Sequence, residues 1–106
     1  MPATRIRVPA TAKRGEIIEI RTMIVHPMEN GFRFESQGQL VPVNIIDRIE
    51  IRFNGAMIYR AELGTGIAPN PYLSFFTRVT ESGRFTFLWH DDTGEVTEAS
   101  AEIEVS

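Results

Sequence analysis

Polar and apolar residues alternate with a period of two in short segments along the chain, and Gly, Pro, Asn or Asp residues separate these segments. Successive side chains of a β-strand point to opposite faces, so this alternation predicts strands with one buried and one exposed face. No segment shows a helical period long enough to predict a helix. The pattern predicts seven strands, at residues 4–8, 16–25, 45–53, 56–63, 72–79, 84–90 and 95–105.

One of these strands carries the largest apolar residues of the chain on a single face. Phe85, Phe87 and Trp89 alternate with polar residues in the segment RFTFLWH. A face of this size needs to be covered by other apolar side chains. We therefore expect Trp89 to be a core residue and not part of a ligand-binding site.

The dipeptide Asn54-Gly55 predicts a tight hairpin between strands three and four, because both residues tolerate the positive φ values of a type I′ turn. A two-residue loop would place Ile51 opposite Ile58. The later apolar alternation, however, continues from Tyr59, so the phase has to slip by one residue. We expect a β-bulge near Ile58 or Tyr59.

Seven antiparallel strands in 106 residues indicate an all-β fold, an immunoglobulin-like antiparallel β-sandwich that forms one domain over residues 1–106. A partly closed β-barrel is the alternative. Lys and Arg total 11 against 14 Asp and Glu, for a formal charge of -3. Without a basic stripe in the sequence, we exclude nucleic acid as a partner.

The chain contains no cysteine, which excludes disulfides, thiolate nucleophiles and zinc fingers. The first residues also lack the apolar run that a signal peptide or a membrane span requires, so no membrane contact is expected. If the protein acts outside the cytoplasm, we expect that its signal was removed or that it is exported together with another protein.

Up-and-down connectivity should bring alternate loops to the same end of the sandwich. The loops 26–44, 64–71 and 91–94 would then share one pole, and the remaining loops would share the opposite pole. The polar and sulfur-containing residues expected at the first pole are His26, Met28, Glu29, Asn70, His90, Asp91 and Asp92.

A copper site built from His26, Met28 and His90 would be compatible with these residue types, but a blue-copper site also needs a thiolate. We predict no metal and no cofactor, and keep a small metal-binding sandwich as an alternative function. A hydrolytic triad is not expected, because the serines lack a nucleophile-elbow context and Asp91 points away from its neighbour His90. Asp91 and Asp92 should instead accept backbone N–H groups of their own hairpin. No catalytic residue is predicted.

The segment IAPNPYLSFF is apolar on both faces of the predicted strand. Such a strand must be covered on both sides. Either the long loop 26–44 folds over it within the chain, or a second protein covers it, as exposed apolar patches usually indicate.

The order of several short motifs resembles the SoxZ family, subunits of the sulfur-oxidation carrier complex of thiosulfate-oxidising bacteria. The motifs are HPM, NII, FNG, NPY, TESG and, after Trp89, DDTGE, and they extend over about residues 13 to 104. The stretch GFRFESQGQ departs from the family, which more often has charged and polar residues where this chain has Phe32 and Phe34. The departure leaves the conformation of this loop open.

The resemblance implies an immunoglobulin-like sandwich that pairs tightly with SoxY, whose C-terminal arm carries the cysteine to which sulfur intermediates are attached. It implies a non-catalytic subunit of a periplasmic carrier, with transient contacts to other Sox enzymes. Co-export with SoxY would account for the missing signal peptide, and the partner's thiol would account for the missing cysteine.

We therefore predict a protein-binding surface at the first pole and its flank. Its residues are His26, Met28, Asn30, Asn70, Tyr72, Phe75 and Phe76. Without its partner the chain is expected to self-associate through the same apolar flank. A generic protein-interaction domain is the second alternative.

Overall fold

The computed structural model describes residues 3–29, 31, 38, 43–64, 67 and 69–106. Within these ranges the chain forms eight strands and no helix, so none of the described segments is a helix able to span a membrane. The strands are β1 (Thr4–Arg7), β2 (Thr11–Ala12), β3 (Ile17–Ile24), β4 (Ile46–Phe53), β5 (Ala56–Glu62), β6 (Tyr72–Arg78), β7 (Gly83–Asp91) and β8 (Val96–Val105). All seven predicted strands are present. The additional strand β2 has two residues, too few to show an alternating pattern.

The strands form two sheets, which confirms the predicted all-β sandwich. One sheet has three strands in the order β1-β3-β6, and the other has five in the order β2-β8-β7-β4-β5. All neighbours pair antiparallel except β2 and β8. β1 and β2 therefore belong to different sheets although only three residues separate them along the chain.

The core lies between the inward faces of the two sheets. Phe85, Phe87 and Trp89 are at most 2% exposed, and the rings of Phe87 and Trp89 have centroids 6.2 Å apart. Ile20 and Ile51, from the two opposite sheets, are fully buried in the same apolar cluster. Burying a side chain of this size stabilises the fold by about 1.5–3 kcal/mol. The prediction that Trp89 is a core residue is confirmed.

The hairpin between β4 and β5 contains the predicted bulge. Ile51 pairs with Tyr59, but the next residue, Arg52, pairs with Met57, so Ile58 is the extra residue on β5. Asn54 and Gly55 have φ values of 50° and 86° in the two-residue loop, as the turn requires. The slip keeps Tyr59 on the side of the strand that packs against the core.

The loops gather at two poles as the strand order predicts. At one pole the 64–71 loop is hydrogen-bonded to His26, and the 91–94 loop is hydrogen-bonded to Ile45. At the opposite pole Asn54 accepts a hydrogen bond from the Arg84 backbone N–H at 2.9 Å and donates to the Ser82 carbonyl. His26 and Asn70 therefore meet at one pole as predicted, and Asp92 contacts the chain at the end of loop 26–44.

Candidate partner-binding surface

His26 and Asn70 hold the first pole together through two hydrogen bonds. The His26 backbone N–H donates to Asn70 Oδ1 at 2.8 Å, and the Asn70 backbone N–H donates to the His26 carbonyl at 2.7 Å. Asn70 has a φ of 55°, a left-handed conformation that asparagine tolerates better than most residues. An asparagine here supplies both the backbone conformation and the acceptor that the pole needs.

The side chains of His26 and Met28 are both buried, at 5% exposure. His26 Nδ1 accepts the Met28 backbone N–H at 2.9 Å, and Met28 Sδ accepts the Ile46 backbone N–H at 3.2 Å. The imidazole and the thioether thus satisfy buried amide groups that would otherwise lack a partner. They fix the start of loop 26–44 and present no free surface.

The hairpin after β7 uses its two aspartates in different ways. Asp91 Oδ1 accepts the backbone N–H groups of Thr93 and Glu95, both at 2.9 Å, as predicted. Asp92 does not cap its own hairpin: its Oδ1 accepts the Ile45 backbone N–H at 2.9 Å. The prediction was wrong for Asp92 because the pole brings residue 45 within reach of its carboxylate.

The pKa of Asp91 is held below its ordinary value. Burial alone would raise this pKa, but hydrogen bonds from Thr93 and Glu95 stabilise the ionised form more strongly. The carboxylate is therefore a structural acceptor that stays ionised, which is the opposite of what a proton donor requires.

His26 and His90 belong to separate hydrogen-bond networks. His90 lies on the outer face of the five-stranded sheet, where Nδ1 is 3.1 Å from Arg48 Nη2 and Nε2 is 3.4 Å from Glu50 Oε1. The described residues contain no group of three His, Asp or Glu side chains that could hold a metal ion. Of the ligand atoms that the alternative site at His26, Met28 and His90 would use, His26 Nδ1 and Met28 Sδ each accept a backbone N–H instead.

Strand β6 has one covered face and one uncovered face. Leu73 and Phe75 point inward and pack against the core, whereas Tyr72 and Phe76 are 60% and 69% exposed. No described residue covers these two rings. Loop 26–44 is one of the two covers that the sequence allows for this strand. Most of that loop, residues 30, 32–37 and 39–42 with Phe32 and Phe34, lies outside the described residues.

The predicted contact residues fall into three groups. Asn70, Tyr72 and Phe76 are exposed at the pole and along the outer face of β6. His26 and Met28 are buried and Phe75 is half-buried, so these three side chains offer little exposed area for direct contact. Asn30 lies outside the described residues. The assignment of this surface to a partner stays a prediction.

Strand pairing adds residues to this surface that sequence reasoning missed. Met23 of β3 pairs with Tyr72 on one side and with Arg5 of β1 on the other, so the three side chains form one row across the sheet. Ile17 at the other end of β3 is 56% exposed. The alternating pattern of each strand shows which residues point outward. It does not show that β1, β3 and β6 are neighbours.

Strand β6 is also an edge of its sheet, since within the described ranges it pairs only with β3. Its residues 72–77 carry no charge, unlike β1 at the other edge, where Arg5 and Arg7 alternate. Charged residues on edge strands protect proteins from unwanted strand pairing. In β6 only the last residue, Arg78, is charged, so the edge next to the exposed aromatic rings has little of this protection.

The fold and this surface define a class of protein: a small immunoglobulin-like β-sandwich with an uncovered aromatic face on its smaller sheet. Comparison with protein families gives the particular assignment. Residues 6–102 match the family described as "Sulphur oxidation protein SoxZ", and the chain belongs to the SoxZ family. A comparison with curated proteins gives no significant match.

Solved structures of similar fold include a superoxide reductase (neelaredoxin) from Ignicoccus hospitalis, with a TM-score of 0.75 and 22% identity over 97% of this chain and 80% of that one. The sulfur carrier protein SoxY from Chlorobium limicola f thiosulfatophilum has a TM-score of 0.69 and 16% identity over 98% of this chain and 79% of that one. A putative superoxide reductase from Thermotoga maritima has a TM-score of 0.72 and 17% identity over 99% and 85%. At these identities the likeness concerns the fold alone and carries no activity to this chain.

Proposed function

We propose that the chain is the non-catalytic subunit of a periplasmic carrier for bacterial thiosulfate oxidation. In this role it binds SoxY and helps to present the cysteine-bound sulfur intermediates of SoxY to other Sox enzymes. The observation that carries the proposal is the exposure of Tyr72 and Phe76 on β6 in a chain of the SoxZ family.

The division of labour follows from the residues present. The chain has no cysteine, so it offers no thiol to which a sulfur intermediate could be attached. SoxY would supply that thiol, and this chain would supply a surface. Covering exposed apolar area is favourable by about 25 cal/mol for each Å² removed from water. Tyrosine and phenylalanine are enriched at the centres of protein interfaces.

The buried hydrogen bonds at the pole support this role because they fix the surface before a partner arrives. The His26 ring accepts the Met28 backbone N–H, and the Met28 sulfur accepts the Ile46 backbone N–H. Asn70, just before β6, accepts the His26 backbone N–H. A surface fixed in advance loses little conformational entropy when it binds. The exposed rings of Tyr72 and Phe76 would then meet SoxY in the geometry they already have.

A periplasmic location with co-export is part of the same proposal. Cell fractionation of a sulfur-oxidising host with and without SoxY tests it. The chain should be found in the periplasm when SoxY is produced and should stay in the cytoplasm when SoxY is deleted. A periplasmic chain in the deletion strain would contradict co-export.

The binding proposal is tested by measuring the affinity of the purified chain for SoxY by titration calorimetry. Tyr72→Ala and Phe76→Ala should each weaken binding about tenfold or more, since an aromatic residue at the centre of an interface contributes about 2 kcal/mol. Met57→Ala is a matched control, because Met57 is also an exposed apolar residue, at 53%, but lies on β5 of the other sheet. Unchanged affinity in both aromatic variants would refute the proposed surface.

A further inference from the structure

The outer face of the three-stranded sheet combines exposed apolar residues with an excess of positive charge. Its residues follow from the strand register. They are Arg5 and Arg7 of β1, Ile17, Glu19, Arg21 and Met23 of β3, and Tyr72, Ser74, Phe76 and Arg78 of β6. Four arginines thus share this face with a single glutamate, in a chain whose formal charge is -3.

The glutamate does not neutralise the face. Glu19 Oε1 is 2.9 Å from the guanidinium of Arg21 and is occupied by that pair. Arg7 lies directly across from Arg21 in the register of β1 and β3, and like charges in such positions repel each other. Arg5 and Arg7 are exposed and make no hydrogen bond or ion pair with any described residue.

The other sheet provides the contrast. Its outer face carries Arg48, Arg52, Arg60 and Arg84 together with Glu50, Glu62, Glu98, Glu102 and Glu104. Each of these four arginines is paired with a glutamate of the same face, for example Arg84 with Glu102 at 2.8 Å. Among the described residues of the two outer faces, arginines without a carboxylate partner therefore lie on the face that also exposes Tyr72 and Phe76.

Two shallow grooves on this face lie on either side of Arg21. One, of about 260 Å³, lies between Arg5, Met23 and Tyr72. The other, of about 470 Å³, lies between Arg7 and Ile17 and is also lined by the carboxylates of Glu16 and Glu19, so of the two grooves it is the less favourable to an acidic partner. Each groove brings an apolar wall next to an arginine. Side chains of a partner could enter both grooves while its carboxylates reach the guanidinium groups.

We propose that this face docks an acidic protein surface with an apolar centre, and that SoxY supplies that surface. Carboxylates of SoxY would pair with Arg5 and Arg7, and its apolar residues would cover Met23, Tyr72 and Phe76. The inference rests on the proposed function and adds to it the charge of the partner and the extent of the contact across all three strands. A second copy of this chain fits less well, because it would bring its own unpaired arginines to the contact.

The test measures association and dissociation rates of SoxY with the full chain by surface plasmon resonance at low and high salt. The double variant Arg5→Glu/Arg7→Glu should slow association at low salt about tenfold or more, and the difference should largely vanish at high salt. Arg60→Glu/Arg84→Glu is the matched control: it changes the net charge equally, on the balanced face, and should slow association less than about threefold. Circular dichroism verifies that each variant is folded. Should the reversed variant fail to fold, Arg5→Gln/Arg7→Gln replaces it, with about a threefold effect expected.

The outcomes separate this inference from the proposed function. If SoxY binds but both double variants slow association equally, or neither does, the acidic-partner inference is wrong and the proposed function stands. If SoxY does not bind the wild-type chain at all, both are overturned. Analytical ultracentrifugation of the chain alone tests whether a second copy of the chain, and not SoxY, binds to this face. A wild-type dimer that Arg5→Glu/Arg7→Glu alters would identify a second copy on this face and overturn the inference.

Discussion

The rings of Tyr59 and Phe75 stack face to face, with centroids 4.8 Å apart and planes inclined by only 5°. Tyr59 lies on β5 and Phe75 on β6, and each of these strands is one of the two edge strands of its sheet. The stack therefore joins the sheets at edges that no pairing within the described ranges connects. The next residue, Phe76, points to the opposite face and is 69% exposed. Two adjacent phenylalanines thus have different roles, one in stability and one at the surface.

Substituting these two residues separates the roles. Phe75→Ala should lower the free energy of unfolding by about 2–3 kcal/mol, less than a fully buried phenylalanine because Phe75 is half-buried. Phe76→Ala should change it by less than about 0.5 kcal/mol, as expected for an exposed site. Urea denaturation of both variants at neutral pH gives the comparison. Equal losses in the two variants would contradict the assignment of the inner and outer faces of β6.

The sulfur of Met28 can be tested as a hydrogen-bond acceptor. Met28→Leu keeps the apolar volume but leaves the buried Ile46 N–H without the partner it has at 3.2 Å. An unpaired buried amide costs about 1–3 kcal/mol, so the unfolding free energy should fall by about that amount. Hydrogen exchange of the Ile46 amide should also become faster. Met23→Leu, at a half-buried position on the outer face, is the control and should have little effect on either measurement.

The lowered pKa of Asp91 predicts a definite pH dependence. Because its pKa is lower in the folded state than in the unfolded state, the carboxylate contributes stability above its ordinary pKa of about 4. This contribution is lost as the pH falls through the lowered folded-state pKa. Asp91→Asn should therefore be less stable than the wild type at pH 7, and the difference should shrink below about pH 4. Urea denaturation between pH 7 and pH 2.5 measures this difference, and a difference that is constant across that range would contradict the prediction.

Gly83 is required by a close approach of Asn54 and not by its backbone conformation. A Cβ atom at position 83 would collide with the Asn54 amide group, whose Oδ1 accepts the Arg84 N–H at 2.9 Å. Gly83→Ala should lower the unfolding free energy by about 1–2 kcal/mol, within the usual range for overpacking. In an Asn54→Gly background, which suits the positive φ of residue 54, the same substitution should cost about 1 kcal/mol less. If the two substitutions are strictly additive in this double-mutant cycle, the collision with Asn54 is not the cause of the stability loss in Gly83→Ala.

The strands and the bulge could be predicted because period-two alternation directly reports which residues face the core. The slip at Ile58 was visible since the apolar phase changes there. Loop parity likewise predicted that Asn70 would meet His26. These features depend on local patterns and on the direction of the chain, both of which the sequence contains.

The make-up of the candidate surface could be predicted only in part. Alternation identifies the outward residues of β1, but it does not show that Arg5 lies in one row with Met23 and Tyr72. The polar residue type of His26 suggested an exposed contact residue, but its side chain is buried. The ring is satisfied there because Nδ1 accepts a hydrogen bond from the Met28 backbone N–H. Neighbouring strands and satisfied buried groups are properties of the folded chain, and a single strand's pattern does not contain them.

Unpaired arginines on one broad face of a negatively charged chain give the molecule an electric dipole moment directed roughly across its two sheets. In the field of a negatively charged body the protein would turn this face forward before any contact forms. The same polarity has a simple laboratory consequence. Near neutral pH and at low ionic strength, the chain should be retained on a cation-exchange resin despite its acidic isoelectric point of about 5.3.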